Sequence, residues 1–183
     1  MLQKKVEPLG DRDGLKMKPL EKLILDASCG GRMFWFNKKH PHVLYVDIRK
    51  EEKGFMKLRP NFEVAPDEIQ DYTNLPYPDK SFKMVVWDPP HTIRPGTGKP
   101  GYIALRYGRL LPEEWEKNLY LGFRECWRVL EDYGVLIFKW NSKEKKIVDI
   151  LKLFSEPPLF GHTTNNKGNT HWLCFMKIPT LVL

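Results

Sequence analysis

The segment Asp88-Pro89-Pro90-His91 concentrates the most chemistry in the fewest residues of this sequence. Two consecutive prolines make a stiff, low-entropy loop, so whatever flanks them is held in place. Such a loop can present the Asp88 carboxylate and the Pro89 carbonyl as paired acceptors for a planar NH2 group. The His91 ring then stands where it can stack on the ring bearing that amine. A purely structural Pro-Pro turn is the alternative. Three further acids have the same character. Asp26 opens Asp26-Ala27-Ser28-Cys29-Gly30-Gly31, a run of small residues over which a backbone can approach a ligand closely. Asp47, with Ile48 beside it, follows at the spacing where a carboxylate takes both hydroxyls of a ribose in nucleotide-binding α/β folds. Asp71 can accept from an exocyclic base amine while Tyr72 packs on the ring. No GxGxxG run is present, so the dinucleotide fingerprint is absent.

These residues need a scaffold, and the hydropathy pattern supplies one. Short apolar runs at Leu23–Leu25, Val43–Val46, Met84–Trp87 and Val135–Phe138 are bounded by Gly, Pro, Asp or Asn. Continuous runs of this kind suit parallel strands covered on both faces, and ligands bind beyond the carboxyl ends of such strands. Asp26, Asp47 and Asp88 all fall there. Between the last two runs, Trp115, Leu119, Phe123, Trp127 and Leu130 repeat at helical spacing, with Pro112 as the opening residue and Asp132-Tyr133-Gly134 as the turn out. A weaker helix is expected over Lys143–Phe154. Two strands, near Leu159–His162 and Trp172–Lys177, should form a hairpin around a polar turn. The expected fold is therefore α/β, a mostly parallel sheet with an antiparallel C-terminal hairpin. Residues 1–20 read as a polar N-terminal arm, and 21–183 as one domain.

The 183 residues carry 30 Lys and Arg against 23 Asp and Glu, a formal charge of +7. The excess is localised. From Pro89 to Pro112 there are 24 residues with no acid, including Arg94, Lys99, Arg106 and Arg109. Tyr102 and Tyr107 offer stacking surfaces there, and Gly96, Gly98 and Gly101 offer mobility. A basic, aromatic-bearing loop over residues 92–111, leaving directly from the Asp88 segment, suits a phosphodiester substrate. Its alternative is a surface loop whose charge serves solubility. Lys139-Trp140, at the end of the fifth run, can also face a pocket.

Together these motifs resemble the class I S-adenosylmethionine-dependent methyltransferases, specifically the DNA adenine-N6 amino-methyltransferases with their D/N/S-P-P-Y/F/W motif. The likeness runs from about Leu23 to Lys177 and is nearest to short phage-type enzymes with a DPPH loop and an LIFKW strand. It implies a Rossmann-like methyltransferase fold with a seven-stranded sheet. It implies S-adenosylmethionine as cofactor, its methionine end on Asp26, Ala27, Ser28, Cys29 and Gly30. Its ribose would lie on Asp47 and Ile48, and its adenine on Asp71 and Tyr72. Asp88, Pro89, Pro90 and His91 become the catalytic loop, and Arg94, Lys99, Arg106, Tyr107 and Arg109 the substrate-binding residues. Here the first motif reads DASCGG, and His91 stands where the family has Tyr, Phe or Trp.

The expected activity is methyl transfer to an exocyclic base amine, adenine N6 in DNA first. RNA, cytosine N4 and a small molecule are alternatives, as is a non-catalytic nucleic-acid-binding module on the same fold. The partner is then nucleic acid, and the setting a bacterial or phage-infected cytoplasm. Three scattered cysteines exclude a disulfide scaffold or a cysteine zinc site. His40 and His42 have no companion ligands, so no metal is expected, and His162 and His171 read as structural. No apolar run nears the roughly 20 residues of a membrane span, and the first residues resemble neither signal nor anchor.

Overall fold

The computed structural model describes residues 21–97, 99–164 and 168–179. The expected arm over 1–20, Gly98, and part of the C-terminal hairpin turn lie outside the described residues. Strands β1 (Ile24–Asp26), β2 (Val43–Asp47), β3 (Glu68–Ile69), β4 (Phe82–Trp87), β5 (Leu130–Asn141), β6 (Phe160–Thr164) and β7 (Thr170–Met176) form one sheet in the order β3-β2-β1-β4-β5-β7-β6. The first five pair in parallel, and β7 runs antiparallel to both of its neighbours. This is a Rossmann-like α/β arrangement with the expected C-terminal hairpin.

The two sheet faces are covered unequally. Helices α2 (Trp115–Val129) and α3 (Ile147–Leu151) pack on one face over the large core, in which Trp87, Phe123, Phe138, Trp140 and Phe175 are fully or almost fully buried. Gly122 permits this packing, because a Cβ there would lie 2.5 Å from Trp87 and 2.8 Å from Tyr72. On the other face, no helix joins β1 to β2 among the described residues. Instead a turn-rich loop brings Trp35 onto Cys29, Val43 and Tyr45.

Some element boundaries differ from the sequence expectation. Helix α2 starts at Trp115 with Glu114 as its N-cap, and Pro112 stands in the turn before it. α3 spans five residues of the twelve expected. The Asp132-Tyr133-Gly134 signal does not separate helix from strand. β5 begins at Leu130, and the signal becomes an irregularity inside it, with Tyr133 at φ 63° and the β4 register jumping from Leu130 to Val135. The acid-free stretch is also more ordered than a plain loop: it holds a third helix, α1 (Tyr102–Tyr107), and an Ile93–Leu110 bridge closes its base. Among the described residues, no helix is long and apolar enough to cross a membrane.

Candidate functional site

Because β2, β1 and β4 are adjacent and parallel, their carboxyl ends meet at one sheet edge. That edge carries Asp26, Asp47 and Asp88. A cavity of about 330 Å3 opens there, lined by Ala27, Ser28, Cys29 and Gly30 from the first turn. Asp47, Ile48, Tyr72, Asp88 and Pro90 complete its floor, and Arg106 and Tyr107 of α1, with Arg109 just after it, wall it.

The three carboxylates have different surroundings. Asp47 Oδ2 accepts the Gly30 amide at 2.9 Å, and Oδ1 accepts the Arg49 amide at 2.9 Å. The Arg49 side chain continues from Asp47 to the Leu105 carbonyl of α1, tying the strand end to the cavity wall. Asp26 sits beneath the cavity rather than in its lining. It is fully buried, and its Oδ2 accepts the Trp35 indole N–H at 2.7 Å. Burial pushes its carboxyl up to about 7. Asp88 is held from both sides: its amide donates to the Ser28 hydroxyl at 3.0 Å, and its Oδ2 accepts from Lys139 Nζ at 2.5 Å. Burial pushes the Asp88 carboxyl up, against the opposing Lys139 charge.

Asp71 and Pro89, like Asp26, are not in the lining of this cavity. Asp71 is exposed and turned to its own chain, where Oδ1 accepts from the Thr73 amide and hydroxyl, both at 2.8 Å. Its short Asx turn meets that carboxylate's needs locally. Pro89 is buried and lines neither this cavity nor the one described below, although no described residue donates to its carbonyl. Tyr72, by contrast, does face in, its hydroxyl donating to Asn118 at 2.5 Å. Gly31 matters for close approach, since a Cβ there would run into the Phe62 ring on the cavity wall. The Cys29 thiol is buried and pushed far above its ordinary range, so it is inert as a nucleophile.

A second cavity, about 860 Å3, lies across the α1 segment and shares Pro100, Ala104, Tyr107 and Arg109 with the first. His91, Arg94, Lys99 and Lys139 line it. Burial lowers the His91 pKa, so its ring is neutral near pH 7, and it lies 5.9 Å from the Tyr107 ring. The basic residues are not equivalent. Arg94 pairs with Glu144 at 2.8 Å. Arg109 donates to the Gly96 carbonyl at 2.6 Å. Arg106 belongs to the first cavity, with its guanidinium 4.8 Å from the Tyr107 ring centroid.

Lys139, Glu144 and Arg49 shape the site without belonging to the motif set. Of these, only Lys139 carried a sequence signal, a charge ending an apolar strand in the manner of Asp88.

No family model and no curated protein matches the sequence. Solved structures do match. The PH0226 protein from Pyrococcus horikoshii OT3 aligns at 13% identity over 85% of this chain and 81% of its own, with a TM-score of 0.52. A TehB-like SAM-dependent methyltransferase from Corynebacterium glutamicum aligns at 15% over 88% and 83%, with a TM-score of 0.49. A putative methylase, HI0767, from Haemophilus influenzae aligns at 15% over 88% and 89%, with a TM-score of 0.44. At such identity the likeness to the Pyrococcus protein is one of fold: a Rossmann-like α/β sheet, with function left to the residues at its edge.

Proposed function

We propose that this chain is an S-adenosylmethionine-dependent methyltransferase acting on an exocyclic amine of a nucleic-acid base, adenine N6 in DNA. One observation carries the reading. The Asp88 carboxylate stands in the first cavity and is ion-paired to Lys139, which lines the second. A donor pocket and an acceptor pocket therefore meet at one carboxylate.

The first cavity suits the cofactor. Its glycine turn leaves backbone open, and Asp47 Oδ2 keeps a lone pair beyond the one used by Gly30. Ser28 and Gly30 would hold the methionine end, Asp47 and Ile48 the ribose, and Tyr72 the adenine side. When bound, the cofactor supplies an electrophilic methyl sulfonium.

The chain's own residues prepare the amine. An exocyclic amine conjugated to a heteroaromatic ring is a poor nucleophile, because its lone pair is delocalised. Asp88 Oδ1 accepts one of its N–H groups and favours an sp3-like nitrogen. This is positioning plus preorganised electrostatics. The proton that the nitrogen releases can pass to the Asp88 carboxylate that accepts its N–H. His91 and Tyr107 supply ring surfaces for the base. A base inside a duplex is out of reach, so the target is flipped out or single-stranded. Lys99 and Arg109 would meet the phosphates.

Nucleoside mass spectrometry on DNA and RNA from a methylation-null host expressing the chain tests this. N6-methyladenine in DNA is expected, and Asp88→Ala should abolish it while calorimetry still shows cofactor binding. No methylated base in either nucleic acid would overturn the proposal.

A further inference from the structure

Resting on that reading, we propose that Lys139 is a specificity-determining residue. With Asp88 it selects an amine whose ring carries an acceptor nitrogen next to it, as in adenine or cytosine. The sheet register places the pair. Phe138 on β5 is level with Trp87, the last residue of β4, so the residues that follow them, Lys139 and Asp88, come alongside. Lys139 Nζ is 2.5 Å from Asp88 Oδ2, and both side chains are largely shielded, with 22% and 15% exposed. Trp172, the β7 partner of Lys139, and Phe34 form an edge-to-face pair beside the ammonium, at 5.6 and 5.9 Å from Nζ.

Hydrogen-bonding capacity completes the argument. An ammonium has three donors and a carboxylate about four acceptor sites. Among the described residues, Asp88 is the only acceptor for Lys139, and Oδ1 of Asp88 has no partner. The pair thus sets a free acceptor on the first cavity's lining beside free donors on the second's. Its complement is a planar edge with an N–H beside an acceptor: N6–H and N1 of adenine, or N4–H and N3 of cytosine. On its Watson–Crick edge guanine offers two donors and would set N1–H against the ammonium. An aliphatic ammonium would meet a like charge. A donor to the ring nitrogen alone would drain electron density from the amine. The carboxylate accepting N–H returns it, and the pair is neutral overall.

The experiment compares adenine with 1-deazaadenine, in which C–H replaces N1. Single-turnover methylation is measured on an oligonucleotide methylated in the host assay, with either base at the target. Adenosine and 1-deazaadenosine binding is titrated in parallel. The wild type should lose about ten- to a hundredfold in rate on the deaza base, the worth of one charged hydrogen bond. It should also bind the deaza nucleoside more weakly. Lys139→Met should be slow on both bases and indifferent between them, whereas Lys139→Arg, keeping cation and donors, should still discriminate. Equal rates in the wild type would overturn the inference and leave methyl transfer standing. If nothing is methylated, that reading fails, and the titration alone decides: weaker deaza binding supports the pairing, and equal binding overturns it.

Discussion

Asp26 provides a test in which the site's electrostatics are read as stability. Its carboxyl is fully buried, its pKa is pushed to about 7 against an ordinary 3.8, and Asp88 and Asp47 reinforce the shift from nearby. The folded state therefore holds a proton that the unfolded chain releases. Stability from this group is fully present below pH 3.8 and is lost as pH rises through about 7. At about 1.4 kcal/mol per pKa unit, the loss is about 1.7 kcal/mol at pH 5 and about 4 kcal/mol at pH 8. Asp26→Asn removes the titration but keeps an acceptor for the Trp35 indole, which sits 2.7 Å away. The stability difference between variant and wild type should therefore move by about 2.5 kcal/mol in favour of the variant from pH 5 to pH 8. Urea denaturation of both proteins at several pH values measures it. Parallel stability curves over that range would refute the reasoning, since a carboxylate already ionised at pH 5 cannot produce the divergence.

Two further outcomes follow from packing and charge. Gly122→Ala should destabilise the fold by about 1–3 kcal/mol in denaturant, because the new methyl meets the Trp87 and Tyr72 rings and overpacking outweighs the gain of about 1 kcal/mol in helix propensity. Lys99→Ala with Arg109→Ala should flatten the dependence of log K on log salt for single-stranded DNA, by about 0.7 for each phosphate no longer neutralised. An unchanged slope in fluorescence titration would remove both residues from the phosphate track.

Much of the site was legible because its signals are local. Apolar runs ending in an acid located Asp26, Asp47 and Asp88, and helical spacing located α2. Signals weakened where the local pattern was thin. β3 is only Glu68–Ile69, with no apolar run to announce it, and Asp71 lies beyond its end, folded into its own turn. The absence of acids made residues 92–111 look uniformly available for phosphate, yet Glu144, 50 residues away from Arg94, claims that side chain.

The sequence by itself determined the order of the longer elements, the chemistry at the ends of β1, β2 and β4 and the basic character of the segment after Asp88, because residue type and periodicity are properties of neighbours in the chain. Tertiary structure decided which of those groups meet. The Asp88–Lys139 pair joins residues 51 apart through the β4–β5 register, and a slip of one position would turn each side chain to the opposite face. Trp35 finds Asp26 only because a loop folds over the sheet face that no described helix covers between β1 and β2. Those meetings set which carboxylate is buried, which is paired and which keeps a lone pair for a ligand, and register and burial are settled by the packed chain as a whole.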